Sequence, residues 1–523
     1  MWRKIAAVFC SALLLSPGWL GGTGLTLLIG LVPLLWISST YDSSRRAWWG
    51  MFGWALLTFV LWNAFTIWWI WLATPVGPFA ATLASSTLNM IAFMLFHTVS
   101  KKGPKALAYT LLVSGWIATE YWYTVGDFSW PWLLLGNGFS HETWAVQWYE
   151  YTGIFGGTLW VLLCNIVIFE AWQHRHQAKA WIGAGTIVLL PILWSLIIFW
   201  SYKAPDQGAI QVSVVQPNID PYSTKFIQGT ERMQEELILS LLEQVPDKTD
   251  FSVLPETVMP FSYNEEYLST APFIQELKDW LQNDHSRAMI VAGAETIITY
   301  TPAERTETAR RDPYSGRYYD KFNSALGIDT TDYLPIHHKG RLVIGVESTP
   351  TWIFKVLKFL VIDLGGTVGQ LGVGEPGPVF RHNGVAVGPA ICYEGLYGGF
   401  YGKFVQQGAQ AMLISSNDGW WGDTPGHKLL FSISRLRAIE HRRAIARSAN
   451  TGTSGFINPR GDVLQKLGWE RRGILTSEVE LNNKMTFYTR YGDYLGRISE
   501  YVMGLCILYY IAYRVRKKNY LVE

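Results

Sequence analysis

Cysteine is scarce: 523 residues hold four. Three of them (Cys10, Cys164 and Cys506) fall in long apolar runs, and Cys392 stands alone in the polar middle of the chain. That middle part therefore has no internal disulfide to build, and its core must come from apolar burial. Net charge is also scarce, at +2, with acidic and basic residues mixed and no long like-charge block. A balance this close to neutral gives no electrostatic ground for a nucleic-acid partner. No internal repeat is visible. Three connecting loops (16–23, 74–77 and 126–152) hold no Lys or Arg at all.

What the chain has instead is apolar length. Hydrophobic residues make up 49%, and there are 26 Trp. A bilayer crossing takes roughly 20 apolar residues. Runs of that kind stand near 4–20, 24–40, 48–73, 78–100, 105–125, 153–173, 180–201 and 498–513. The first two are short and separated by SPGWLGG. The first lacks an A-x-A cleavage site and is followed directly by further runs, so it reads as a retained span. Positive charge gathers on alternate loops: Arg3 and Lys4, Arg45 and Arg46, Lys101, Lys102 and Lys105, Arg175 and Lys179, then Arg514, Arg516, Lys517 and Lys518. Cytoplasmic loops carry such an excess. The expectation is an α-helical polytopic membrane domain of about eight spans with both termini cytoplasmic, and by parity a large domain exported between spans seven and eight. The boundaries read as 1–205 for the first helices, 206–482 for the exported domain and 483–523 for the last helix and its basic tail. Glu120 and Glu170 are the acidic exceptions inside the spans. The Trp-rich stretches WNAFTIWWIW (62–71) and FSWPWLLLGNG (128–138) read mainly as interfacial anchors and helix packing.

In the middle part, short β-branched runs alternate with helical patterns. Strands are expected over 210–216, 251–256, 288–295, 321–329, 385–394, 409–418 and 473–481, with a hairpin around Pro459-Arg460-Gly461. Helices are expected over 230–245, 272–283 and about 426–448. This is an α/β pattern with helices covering a mostly internal sheet. The apolar segment WIFKVLKFLVI (352–362) is too short to span and suits either a membrane surface or an amphipathic core helix.

Three strand ends carry reactive side chains, and strand ends are where α/β domains gather their ligands. Glu256 follows FSVLP, Lys339 lies in HHKGRLV, and Cys392 ends VAVGPAIC. Each has an ordinary explanation alone: a capping carboxylate, a solvated ammonium, a small core hydrophobe. Together they make a chemical set. A thiol becomes a strong nucleophile on losing its proton, a carboxylate can take that proton, and a lysine can hold the oxyanion of an attacked carbonyl. His337, His338 and His427 form no convincing metal-ligand set.

The order Glu256, Lys339, Cys392 resembles the Glu-Lys-Cys triad of the nitrilase superfamily. Spans before and one span after such a domain resemble the apolipoprotein N-acyltransferase family. Further segments carry the resemblance: VVQPNID (214–220), Lys339 and Glu347 at K-x7-E spacing, SSNDGWWG (415–422), and RLRAIEHRRAIARSANTGTSGFINPRG (435–461). Where the family often has Pro-Phe-Gly-Glu, this chain reads Ile344-Gly345-Val346-Glu347. Where it often has Trp after a lysine, the chain has Phe226.

The resemblance implies an α/β nitrilase-like αββα sandwich in the bacterial inner membrane, on its extracytoplasmic side. It implies transfer of an acyl chain from a phospholipid donor to the N-terminal amine of a diacylglyceryl apolipoprotein, without metal or organic cofactor. Cys392 would attack the ester and form a thioester, Glu256 would move protons, and Lys339 with the N–H after Cys392 would hold the oxyanion. Glu347, Tyr393 and Glu394 would support them, and Phe226, Trp420 and Trp421 are candidates for substrate binding. A membrane-bound nitrilase-type amidohydrolase would use the same triad with water as second acceptor.

Overall fold

The computed structural model describes residues 1–126, 129–285, 287–306, 308–348 and 371–519. The segment 352–362 lies outside them, as does Phe128. The chain forms two compact units. One runs to Tyr202 and resumes at Tyr491; the other is Lys203–Arg490.

The first unit is helical. Its long helices are Arg45–Thr66, Gly77–Lys102, Lys105–Val125, Ile154–Gln173, Ala178–Ser201 and Tyr494–Asn519. Tyr494–Asn519 and Gly77–Lys102 both pack along Lys105–Val125. The first two apolar runs are shorter and broken, as Trp2–Leu15, Leu27–Gly30 and Val32–Ser39. Among the described residues, four helices are long and apolar enough to cross a membrane: Gly77–Lys102, Ile154–Gln173, Ala178–Ser201 and Tyr494–Asn519. Arg45–Thr66 matches them in length, but its tryptophans, Asn63 and leading arginines dilute its apolar character. Glu120 is buried, and its carboxylate accepts from Leu135 N–H at 2.7 Å, the Thr158 hydroxyl at 2.5 Å and Trp116 Nε1 at 3.1 Å. It ties the irregular 131–145 stretch into the helices, a fixed structural use for an embedded carboxylate.

The second unit is two sheets face to face. The strands in chain order are β1 (Ala209–Gln216), β2 (Phe251–Val253), β3 (Ser262–Asn264), β4 (Met289–Tyr300), β5 (Arg310–Arg311), β6 (Tyr318–Ile328), β7 (Ile336–His338), β8 (Phe380–His382), β9 (Val385–Ile391), β10 (Ala411–Ser416), β11 (Ile445–Ala449), β12 (Ser454–Ile457), β13 (Val463–Leu467) and β14 (Gly473–Glu480). The first sheet has the order β14-β1-β2-β4-β6-β5, with β3 on β4 and β7 on β6; the second has β13-β12-β11-β10-β9-β8. In each sheet three adjacent strands are parallel, β1-β2-β4 and β9-β10-β11. Hydrogen bonds join the sheets across their inner faces, from the Ser415 hydroxyl to the Leu254 carbonyl and from Ser448 to Val215. Helices Glu231–Leu242 and Pro272–Asp284 bury Ile238, Leu241, Leu242, Ile274, Leu277 and Leu281 against the first sheet. Gly398–Gln406 and Pro425–His441 cover the second. The result is the expected αββα sandwich.

Against about eight expected spans, four described helices qualify; the strand expected over 385–394 ends at Ile391, and one helix of the second unit also departs from the sequence reading. The helix expected to reach 448 ends at His441. Arg442 takes the left-handed conformation (φ 49°) and closes it, and Ile445–Ala449 becomes β11 beside β10. A helix-like run of Ala, Ile and Arg is overridden by the pairing that a buried parallel strand gains.

Candidate active site

Buried side chains of both sheets meet where the parallel strands end. Past β2 the chain reaches Pro255-Glu256, and Thr257 follows with φ 47°. This turn lies against β4: Leu254 N–H donates to the Val291 carbonyl, and Gly293 N–H donates to Pro255 O at 3.1 Å. Gly293 permits the approach. A Cβ there would lie 2.5 Å from Glu256 Cα, Pro255 O and Thr257 N. Gly293→Ala is therefore expected to displace the Glu256 turn, with about 1–3 kcal/mol of overpacking and a roughly 100-fold loss of turnover. Turnover measured beside a thermal midpoint checks it; an unchanged rate would refute it.

Glu256 is fully enclosed. Its Oε1 accepts from Lys339 Nζ and from the Asn323 amide, both at 2.7 Å, and its Oε2 accepts from Asn417 N–H at 2.9 Å. Lys339 follows β7 and its N–H donates to Asn323 O, so β6 and β7 carry it to Glu256. Its Nζ also meets Glu347 Oε1 at 2.9 Å. The Asn323 amide donates to that same oxygen at 2.9 Å, so it bridges the two carboxylates. Val343 N–H fixes Glu347 Oε2 at 2.8 Å.

Cys392 follows β9 and opens a short turn, Cys392–Leu396, with φ 46°. A non-glycine residue in that region costs of order 1–3 kcal/mol and is held only where its surroundings over-determine it. Glu394 does much of that holding. Its carboxylate accepts from Ile391 N–H and Gly340 N–H, each at 2.7 Å, and pairs with His337 Nε2 at 3.0 Å. It thus fastens the Cys392 turn to the residue after Lys339. Tyr393 is buried edge-to-face on Tyr397, ring centres 5.4 Å apart. Ser416 acts on the thiol from the end of β10, favouring its ionised form. Ser416 and Asp418 are in turn held by the buried Arg447 guanidinium at 2.8–3.0 Å.

The charges are strongly coupled. Burial works against the Lys339 charge, yet Glu256 and Glu347 hold its ammonium well above the ordinary lysine value. Burial pushes Glu256 up, but Lys339, Asn323 and Lys225 outweigh it and keep the carboxyl below its ordinary value. The Cys392 thiol goes the other way. Burial raises it, Glu256 adds to the rise, and Lys339 only partly offsets them. The resting pair is a thiol beside a carboxylate, with a cation shared on the carboxylate side.

The structure thus brings Glu256, Lys339 and Cys392 together, with Glu347, Tyr393 and Glu394 around them. Phe226 and Trp420 stack at 5.7 Å and 14°, partly exposed, and the Tyr222 hydroxyl donates to Trp420 O at 2.9 Å. Trp421 is buried. Asn323, Gly293 and Lys225 were not singled out for the site by the sequence. Asn323 left one signal, an amide in the apolar strand FNSALGI. Among the described residues no group of three or more His, Cys, Asp or Glu side chains is arranged to hold a metal ion.

Comparison with known proteins gives two family matches. Residues 211–484 match the carbon-nitrogen hydrolase family, and residues 11–167 match the apolipoprotein N-acyltransferase N-terminal domain. The chain is 27% identical over 503 residues to the apolipoprotein N-acyltransferase of Chlorobaculum tepidum, covering 92% of this chain and 90% of that one. It is 24% identical to the Gloeobacter violaceus protein of the same name, covering 91% and 88%. The Thermotoga maritima protein of that name is 23% identical, with 95% and 92% covered.

Proposed function

The chain belongs to the carbon-nitrogen hydrolase family, and from that premise we propose that it is a membrane-integral N-acyltransferase acting on apolipoproteins. The observation that carries the reading is the coupling of the two matched parts: a Glu-Lys-Cys site in a domain preceded by an apolipoprotein N-acyltransferase N-terminal domain. Relatives matched over nearly their whole length bear the same name.

In the proposed cycle the phospholipid gives up one acyl chain. Glu256 takes the Cys392 proton, and the sulfur attacks the ester carbonyl. Lys339 and the N–H after Cys392 hold the oxyanion. The intermediate collapses to a thioester, and the lysophospholipid leaves with the proton. The N-terminal amine of the diacylglyceryl cysteine then attacks the thioester, Glu256 accepts its proton, and the thiol is restored. Phe226 and Trp420 follow, within a few residues, Lys225 and Asn417, which both bind Glu256, and that neighbourhood supports giving their stacked rings the acyl chain. Eight crossings, cytoplasmic termini and an extracytoplasmic catalytic domain complete the reading, supported by the alternation of Lys and Arg between loops.

The test is a two-stage incubation. Purified protein with phospholipid labelled in its acyl chain should form a thioester-linked adduct at Cys392. Adding a diacylated lipopeptide should move the label to its amine. An adduct that water discharges as fast as the lipopeptide does would establish an amidohydrolase-like enzyme instead. No adduct at all would overturn the acyl-enzyme reading.

A further inference from the structure

Lys225 is a second buried lysine that the cycle above does not use. It lies past the end of β1 and is 4% exposed. Its Nζ donates to the main-chain carbonyl of Glu256 at 2.8 Å, and among the described residues no carboxylate pairs with it. Its own backbone is fixed, with N–H on Asp220 O and carbonyl accepting from Gln234 Nε2. The Phe226 ring centre is 5.6 Å from Nζ. The ionisable groups acting on it are Glu256, at the end of β2, and Cys392, after β9. Lys339, the other cation nearby, is already committed to Glu256 and Glu347.

We infer that Lys225 is a positioning residue for the Cys392–Glu256 pair, a buried amine fixed on the Glu256 turn where it can hold a proton whenever negative charge forms at Cys392. The argument is one of charge. Apart from Lys225 the site holds the Glu256 and Glu347 carboxylates and the Lys339 ammonium. A thiolate or oxyanion adds another negative charge in a place closed to water, where uncompensated charge is costly. Burial brings the Lys225 ammonium down to about 7, with Glu256 and Cys392 only partly offsetting it. Glu256 takes the thiol proton but, held low by Lys339, is a poor place to leave it, and it passes the proton on to the Lys225 amine. The S–H bond breaks, an N–H bond forms on Nζ, and no net charge enters or leaves. On collapse the proton passes to the departing alkoxide. The inference rests on Cys392 being the nucleophile of the proposed function.

The probe is iodoacetamide, with Cys392 alkylation followed by peptide mass spectrometry on the full-length protein between pH 5 and 9. In the wild type the rate should rise with pH and level off near 7. Above that pH the thiolate–ammonium form keeps a constant share of the singly deprotonated site. Lys225→Met should be about 10-fold or more slower at pH 7.5 and should keep rising to pH 9. Lys225→Arg, permanently charged, should react faster than Lys225→Met with no levelling near 7. A Lys225→Met profile like the wild type would overturn the inference. So would a Lys225→Arg no faster than Lys225→Met, because a side chain serving only to pack would give that result. Alkylation involves no lipid. Missing phospholipid adducts with these profiles intact would therefore count against acyl transfer and not against Lys225.

Discussion

Cys392→Ala is expected to abolish both the acyl adduct and lipopeptide acylation, lowering turnover on the order of 10⁵-fold or more, the scale lost when a covalent nucleophile is removed. The fold should survive. The lost atom is one sulfur at a buried turn, and Glu394 still fastens that turn through Ile391, Gly340 and His337. Cys392→Ser should also be nearly inactive. A hydroxyl is still harder to ionise than the thiol, which burial and Glu256 already push up. The check is mass spectrometry of the intact protein after incubation with labelled phospholipid. The other three cysteines lie in the helical unit, at Cys10, Cys164 and Cys506, and should carry no acyl group. An adduct of wild-type size in Cys392→Ala would remove this residue from the mechanism.

Lys339→Met should damage activity and stability together. Among the described residues the ammonium is the only cation bridging Glu256 and Glu347, both of which also accept from the Asn323 amide. Without it two carboxylates face each other across one amide, away from water. Removing one member of such a buried arrangement typically costs about 3–5 kcal/mol, because the stranded charge must find a proton. Once Glu256 is protonated it no longer serves as a base. Losing the oxyanion donor alone costs roughly 10²–10³-fold, so the combined fall in turnover should exceed about 10³-fold. Thermal unfolding and single-turnover acylation read the two effects separately. Lys339→Met with wild-type stability would contradict the account of the ion pair, and with wild-type acylation it would contradict the role in catalysis.

Much of the domain could be read from sequence because its strands are apolar runs ending in chemistry-bearing residues. Glu256 and Cys392 each follow such a run, and Lys339 follows the short polar strand Ile336–His338, so their convergence required only that the strand ends meet. The helix end at Arg442 was not legible. Its left-handed backbone is carried by an arginine where a glycine would have signalled a stop. Gly293 was invisible for a related reason: its own φ is ordinary, and its need arises from the Glu256 turn pressing on it from another strand. Lys225 was noticed only as the neighbour of an aromatic, because burial of a lysine is a property of the fold and leaves no mark on the residues beside it. In the helical unit, tryptophan blurred the span count. It is bulky and amphipathic, so segments such as Arg45–Thr66 read as weaker spans than their length suggests.

The two halves of the site belong to different sheets. Glu256 and Lys339 ride on the first, Cys392 and Asn417 on the second, and the Asn417 N–H to Glu256 hydrogen bond crosses the seam. A chain that has formed either sheet alone owns a carboxylate without a thiol or a thiol without a base. Such a chain lacks the assembled Glu-Lys-Cys set. The three side chains meet only when the sandwich shuts, so the closing of the fold is also the step that assembles the candidate site.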